Sequence, residues 1–206
     1  MTEADGGYDD GYRACPCFWG REPSRLVINL RQRIGTYQGL RALDAGCGEG
    51  KNAAYMAADG CAVLAVDISA VAIANGRKAW PAASIEWRVE DIYQLELEPL
   101  QFDVVVAYGL LHCLGSIERV TGILQRLQHA TRPGGYHAVC TFNDRAQDLR
   151  AHPRLGPLLK SHTWYLSQYK GWDIVTATDE DLSEVHPHNG IRHTHSMTRI
   201  LARRPS

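Results

Sequence analysis

Residues 40–52 have the sequence LRALDAGCGEGKN. The stretch opens with a short, mostly apolar run that has the length of a buried strand. Three glycines follow at alternate positions, Gly46, Gly48 and Gly50, and the Ala-rich run KNAAYMAA beyond them favours a helix. A glycine has no Cβ, so the chain can turn sharply there and a ligand can lie against the main chain. The stretch predicts a strand, a glycine turn and a helix whose first N–H groups face a ligand.

The spacing of these glycines distinguishes between the common sequence motifs of nucleotide-binding sites. The dinucleotide fingerprint G-x-G-x-x-G needs its last glycine at a position where the chain has Lys51 or Ala53. The phosphate-loop pattern G-x-x-x-x-G-K-[ST] is not present either. The pattern that stands here is Asp-x-Gly-x-Gly-x-Gly, with Asp44 at the end of the strand. A nicotinamide dehydrogenase and a phosphate-loop enzyme are therefore both disfavoured.

Polar residues also follow the next predicted strands. The run CAVLAVDIS (61–69) reads as a second strand ending in Asp67, a carboxylate that can accept both hydroxyls of a ribose. The other two strand ends are Glu90 and Asp91 after 85–89, and Tyr108 and His112 after 102–107. Open α/β sheets bind their ligands at the carboxyl ends of their strands, so these groups are expected around one pocket.

In order and spacing, these segments resemble the motifs of the class I methyltransferases that use S-adenosylmethionine (SAM) as cofactor. The resemblance implies an α/β, Rossmann-like fold: a seven-stranded mixed sheet of order 3-2-1-4-5-7-6 with helices on both faces. It also implies in-line transfer of a methyl group from SAM to a small-molecule acceptor with an N, O, S or chalcogen nucleophile.

The resemblance implies particular cofactor contacts. Asp44 would hold the glycine turn or the methionine ammonium, Asp67 the ribose hydroxyls, and Asp91 with Ile92 the adenine. Tyr108 would line the transferable methyl. The full set of implied cofactor residues on these motifs is Asp44, Gly46, Cys47, Gly48, Gly50, Asn52, Asp67, Ile68, Glu90, Asp91, Ile92 and Tyr108.

The N-terminal part has a motif of its own. Residues 12–24 gather aromatic side chains and two cysteines, and Trp19-Gly20-Arg21-Glu22-Pro23 resembles the W-G-x-E-P segment of small methyltransferases related to the tellurite-resistance and thiol methyltransferases. The resemblance implies that residues 1–24 form a lid and that Trp19 and Arg21 contact the cofactor. The alternative is a cap whose aromatics only pack on the core. Cys15-Pro-Cys17 lacks the spacing of a zinc or redox motif.

Tyr108 and His112 are the catalytic candidates of the central strand. Methyltransferases that act on nucleic-acid amino groups carry an N/D-P-P-Y motif at this point, whereas this chain has Ala-Tyr-Gly-Leu-Leu-His. That difference argues against a nucleic-acid substrate. His112 can hold the acceptor or take its proton; the alternative is a helix-start residue bonded to backbone.

A hairpin is predicted over residues 172–203. Two β-forming runs, Trp172–Thr178 and Thr194–Ala202, flank Asn189-Gly190, and Asn-Gly favours a two-residue turn. Such a turn pairs position 188 with 191, 186 with 193 and 184 with 195. Because side chains alternate along a strand, one face then carries Glu184, His186, His188, His193 and His195. Pro187 cannot donate to a ladder, so the strand is at an edge or bulged.

Three roles are open for this cluster, which in the class I fold lies at the pocket edge of the sheet. One is catalysis or acceptor binding by His186, His193 or His195. A second is an exposed polar hairpin tip. The third is a divalent metal; no metal is predicted, but the candidate ligands are His186, His188, His193, His195 and Glu184.

Composition limits the remaining possibilities. The 206 residues suit one domain. The formal net charge of -1 implies no broad basic face, so no nucleic-acid partner is expected. No apolar run is long enough to span a membrane, so no membrane association is expected. Six scattered cysteines indicate reduced thiols in a cytoplasmic protein. The expected assembly is a monomer or a homodimer. A SAM-binding protein without methyl transfer is the alternative function.

Overall fold

The computed structural model describes residues 8–151, 156–185 and 190–206. One seven-stranded sheet runs through it in the order β3-β2-β1-β4-β5-β7-β6, which confirms the predicted order. The strands from β1 to β5 pair in parallel, and β7 lies antiparallel between β5 and β6. The strands are β1 Arg41–Ala45, β2 Ala62–Asp67, β3 Ile85–Val89, β4 Phe102–Tyr108, β5 Thr131–Gln147, β6 Asp173–Val185 and β7 Arg192–Arg203.

The α-helices are α1 Asp9–Ala14, α2 Arg25–Ile34, α3 Lys51–Ala58, α4 Ala70–Ala79, α5 Ile117–Ala130 and α6 His162–Ser167, with a 3₁₀ turn at Leu111–Cys113. Four of them begin at a serine whose hydroxyl accepts a backbone N–H of the first turn. These serines are Ser24, Ser69, Ser116 and Ser161. Across the described residues, no helix combines the length and the apolar composition needed to cross a bilayer.

The core lies on both faces of the parallel strands. Val104–Ala107 of β4 are completely buried, because helices cover this strand from both sides. On one face Val27, Leu30 and Met56 of α2 and α3 pack against the sheet. On the other, α5 contributes Ile123, Leu124 and Leu127, which recur at helical spacing as the sequence predicts. This two-sided packing fixes the carboxyl ends of β1, β2 and β4 relative to one another.

The C-terminal hairpin differs from its prediction in length and register. Both strands extend beyond the predicted runs, and Glu184 pairs with His193 instead of His195. Among the described residues the pairs nearest this end are Glu184 with His193 and Val185 with Arg192, so the register predicted from Asn189-Gly190 is wrong. Pro187 lies outside the described residues. The shift is by two residues, so Glu184, His193 and His195 still share a face.

Helix α6 begins at His162, and its cap fixes that start, because the Ser161 hydroxyl accepts the Trp164 N–H. Strand β5 pairs with β7 as far as Gln147, which lies opposite His195.

Gly50 offers a test of the turn that joins β1 to α3. Its φ is +77°, and a Cβ at this position would overlap the Trp87 ring of β3. Gly50→Ala should therefore lower the free energy of unfolding by roughly 2–5 kcal/mol. One part of this loss is the cost of a left-handed backbone at Ala, and the other is the steric overlap of its Cβ with the Trp87 ring. Denaturant unfolding of the purified variant measures this change.

Gly39→Ala is the matched control for that substitution. Gly39 has nearly the same φ, +76°, but nothing lies within 4 Å of a Cβ built there. Only the backbone cost of about 1–2 kcal/mol should appear. Equal losses in the two variants would contradict the close packing of Trp87 on the turn.

Candidate active site

The glycine turn bends over the end of β2. Gly46, Gly48 and Gly50 have φ values of +66°, +54° and +77°, a region that favours glycine. The N–H groups of Gly46 and Cys47 both donate to the Val66 carbonyl, at 2.9 and 3.0 Å. The turn is thus held against the strand that carries the second acidic residue.

Asp67 ties the turn to the end of β2. One carboxylate oxygen accepts the Gly48 N–H at 2.7 Å, and the other accepts the Ser69 N–H at 2.8 Å. The Asp67 side chain also lines the cavity. The glycine turn and this carboxylate therefore share one surface.

Asp44 supports the turn from inside the protein. It is only 1% exposed and is not part of the cavity wall, and its carboxylate accepts the Ala53 N–H of α3 at 3.0 Å. Burial raises the pKa of its carboxyl to about 7, while the Ala53 hydrogen bond opposes that rise. Of the two roles predicted for Asp44, this geometry favours holding the turn.

A cavity of about 500 Å³ opens at the carboxyl ends of the parallel strands. Most of the predicted site residues line it: Trp19, Gly46, Cys47, Gly48, Gly50, Asn52, Asp67, Ile68, Glu90, Asp91, Ile92, Tyr108 and His112. Four predicted residues lie outside its wall, namely Arg21, Asp44, His193 and His195. His186 and His188 lie outside the described residues.

Glu49 fastens the N-terminal segment (residues 8–24) onto the glycine turn. Its buried carboxylate accepts the N–H groups of Cys17 and Phe18, at 2.8 and 2.6 Å, and the Asn75 side chain at 3.0 Å. Glu49 was not among the predicted site residues. The available signal was a charged side chain between two glycines of the predicted turn.

Further contacts hold the same segment in place. The Lys51 ammonium donates to the Trp19 carbonyl at 2.7 Å. Arg21 donates to the Ala79 carbonyl at 2.9 Å, and its guanidinium lies 4.3 Å from the ring centroid of Trp80. The structure therefore places Arg21 at the end of α4, where this cation–π contact holds it, and not against the cavity as predicted.

Two tyrosines that were not predicted as site residues complete the wall. Tyr8 and Tyr12 both line the cavity, and the Tyr12 hydroxyl lies 2.9 Å from where a Cβ on Gly48 would be. The Trp19 indole donates to that hydroxyl at 3.2 Å. Burial raises the pKa of both phenols well above the ordinary value, so both keep their proton at neutral pH.

On the predicted adenine side, Asp91 is paired with α5. One of its carboxylate oxygens lies 3.1 Å from the Arg119 guanidinium, and the other accepts the Tyr93 N–H at 2.9 Å. Ile92 is buried beside it and provides an apolar surface. Arg119 was also missed, since the sequence does not show which face of α5 reaches this loop.

His112 lies buried at the opposite end, stacked on Phe142 with ring centroids 4.0 Å apart. Its Nδ1 accepts the Phe142 N–H at 3.3 Å and lies 3.3 Å from the Thr141 hydroxyl. The proton of the neutral ring is therefore on Nε2. His112 is arranged to donate a hydrogen bond, and this geometry disfavours the predicted role in proton removal.

Glu184 of β6 lines the same end of the cavity, with two hairpin histidines behind it. Its Oε1 lies 3.5 Å from His193 Nε2 and 3.9 Å from His195 Nε2. The His195 ring stacks on Phe142, with centroids 4.2 Å apart. Burial raises the pKa of the Glu184 carboxyl, and His193 opposes that rise.

Comparison with known proteins agrees with these observations. A family model described as a methyltransferase domain matches residues 43–139. An uncharacterised methyltransferase of Mycobacterium tuberculosis is 35% identical over 127 residues, covering 62% of this chain and 57% of that protein. The malonyl-[acyl-carrier protein] O-methyltransferase of Enterobacter lignolyticus is 33% identical over 118 residues, covering 57% and 45%. The chain thus matches only about half the length of these relatives.

Solved structures share the fold at lower identity. TehB from Haemophilus influenzae superposes with a TM-score of 0.72 at 21% identity, covering 86% of this chain and 61% of that one. The N-methyltransferase NodS of Bradyrhizobium japonicum, solved with S-adenosyl-L-homocysteine, gives 0.63 at 18%, covering 88% and 86%. Residues 43–139 are therefore similar in sequence to a methyltransferase domain, and the described sheet shares its fold with these solved structures.

Proposed function

We propose that this protein transfers a methyl group from SAM to a small-molecule acceptor. The observation that carries the proposal is the hydrogen bond between Gly48 and Asp67. It places a side-chain-free turn and a carboxylate in one cavity wall, at the carboxyl ends of β1 and β2. A nucleoside whose ribose hydroxyls reach Asp67 would then have its amino-acid part against the turn.

The chemistry of the wall fits SAM. The Tyr12 hydroxyl lies 2.9 Å from the position that a Cβ on residue 48 would occupy, so any side chain larger than that of glycine would clash with this hydroxyl. Ile92 offers an apolar surface for a purine, and Asp67 offers acceptors for a sugar. A volume of about 500 Å³ lies in the range of cofactor and small-ligand pockets.

The residues of the chain would act by positioning and by excluding water. SAM, when bound, supplies a methyl group on a positively charged sulfur. Tyr8, Tyr12 and Trp19 of the N-terminal segment cover the cavity, and that cover keeps bulk water from the reacting atoms. His112 would hold the acceptor with its Nε2–H, which orients the nucleophile without taking its proton.

The acceptor proposed is a small nucleophile at nitrogen, oxygen, sulfur or a chalcogen. A buried cavity of this size cannot take a folded macromolecule, and the net charge of -1 argues against a nucleic-acid partner. All six cysteines are free thiols, in keeping with a cytoplasmic location.

The proposed cofactor can be tested by direct binding. Isothermal titration calorimetry should detect binding of SAM and of S-adenosylhomocysteine, and none of NADH. Asp67→Ala should weaken binding by at least about 100-fold, because each hydrogen bond to a charged group is worth about 1.5–3 kcal/mol. Incubation with methyl-labelled SAM and a panel of amines, phenols, thiols and chalcogen oxyanions then tests transfer.

Glu86→Gln is the control for that substitution, since Glu86 is exposed on β3 outside the cavity. It should bind both ligands as the unaltered chain does. Full affinity in a folded Asp67→Ala variant would show that the cofactor site is wrongly placed. Binding without label transfer to any acceptor would favour the SAM-binding alternative without methyl transfer.

The role of Glu49 in holding the N-terminal segment can be tested by substitution. Glu49→Gln replaces one carboxylate oxygen by an NH₂ group, so a donor would face the backbone N–H of Cys17 or Phe18. Hydrogen exchange should show the amides of residues 8–24 losing protection by roughly 10-fold or more, equivalent to about 1–3 kcal/mol. Affinity for S-adenosylhomocysteine should fall with it, because the segment forms part of the wall.

Glu22→Gln makes the same chemical change at an exposed position of the same segment. Its exchange rates and affinity should match those of the unaltered chain. If Glu49→Gln also left both unchanged, the other contacts of the segment would be sufficient to hold it, and Glu49 would have no part in closing the cavity.

A further inference from the structure

The carboxylate–imidazole cluster behind the cavity has a chemistry that the proposed methyl transfer does not use. Glu184, His193 and His195 present one oxygen and two nitrogens that all lie within 4.8 Å of one another. His193 is 2% exposed and His195 is completely buried. They come from adjacent antiparallel strands, so backbone pairing between β6 and β7 sets their separation.

The hydrogen-bond partners of the two imidazoles determine their tautomers. His193 Nδ1 lies 2.8 Å from the Ile191 carbonyl, which can only accept, so Nδ1 carries a proton. His195 Nδ1 lies 2.8 Å from the Gln147 side-chain oxygen. Both neutral rings therefore direct an Nε2 lone pair toward the Glu184 side of the cluster.

The Gln147 amide is itself held in one orientation. Its Nε2 donates to the carbonyls of Asn143 and Ser196, each at 2.8 Å, so its oxygen must face His195. An imidazole whose second nitrogen donates to a fixed carbonyl oxygen is the usual arrangement around a metal-ligating histidine. Both histidines of the cluster have this outer support.

The chemistry of these three atoms suits a cation. Two imidazole nitrogens and a carboxylate oxygen repel one another in a mostly buried site, and a positive charge between them offsets that repulsion. A divalent cation would attract all three atoms at once.

We infer that Glu184, His193 and His195 form a binding site for a divalent first-row metal ion such as Zn²⁺. Bonds of about 2.0–2.2 Å place neighbouring ligand atoms about 3.0–3.6 Å apart. The two nitrogen–oxygen distances, 3.5 and 3.9 Å, are already close to that range. Two histidines and one carboxylate also leave coordination positions open, as in catalytic metal sites.

The site faces the acceptor end of the cavity through Glu184. The open positions would take water or an anionic acceptor, since a bound cation favours the deprotonated form of its ligands. That the ion contacts a methyl acceptor depends on the proposed function, whereas binding of the ion does not. This inference departs from the sequence prediction of no metal, because the sequence could not show the Gln147 and Ile191 supports.

The test uses the full chain, stripped of metal with EDTA and dialysed, in the absence of SAM. Calorimetric titration with Zn²⁺ should show one equivalent bound, and metal analysis after desalting should recover it. Co²⁺ should give the visible bands of nitrogen and oxygen ligation. Intense sulfur-to-cobalt absorption would instead reveal binding by the free cysteines and would overturn the assignment.

Glu184→Gln keeps the side-chain size and should weaken Zn²⁺ binding by at least about 10-fold. His195→Ala should weaken it further, while His129→Ala, which removes an exposed imidazole of α5, should leave it unchanged. Thermal melting of each variant without metal separates loss of binding from loss of folding.

Two results would overturn the inference: no Zn²⁺ binding by the unaltered chain, or equal binding by that chain and a folded Glu184→Gln variant. Either would mean that the cluster holds a proton. Because S-adenosylhomocysteine binding is measured without metal, failure of the metal site and failure of the proposed function are distinguishable.

Discussion

The hydrogen bond from the Gly48 N–H to the Asp67 carboxylate is the constraint on which the site depends. It joins the ends of two adjacent parallel strands, and it requires a backbone that only glycine adopts readily. With the turn held in this way, the glycines of the turn and the Asp67 carboxylate line the same cavity. Packing of β4 and its helices behind that edge then gives the cavity a floor.

The N-terminal segment depends on the same turn. Glu49, between two glycines of the turn, accepts hydrogen bonds from the chain that covers the cavity. The turn that shapes this end of the cavity thus also holds the N-terminal segment. At the other end, Phe142 lies in stacking contact with both His112 and His195, so His112 and the hairpin cluster share one aromatic ring.

Much of the fold could be predicted from local sequence. The positions of Asp67, Ile92 and Tyr108 follow from short apolar runs, glycine spacing and acids at strand ends, which are local signals. The strand order came from the resemblance to the class I methyltransferases, and the structure confirms it. Arg21 and Glu49 could not be placed, because their contacts with Trp80 and Phe18 join segments distant in the chain. The hairpin register was wrong because Asn-Gly predicts a tight turn, while pairing ends at Val185 and Arg192.

The N-terminal segment has a consequence for how the chain is made. The anchors Glu49, Asn75 and Trp80 all follow residues 8–24 in the chain. During synthesis, Tyr12, Phe18 and Trp19 therefore stay exposed to solvent until α4 has been translated. Over that interval the aromatic side chains of the segment are apolar surface open to aggregation on the nascent chain.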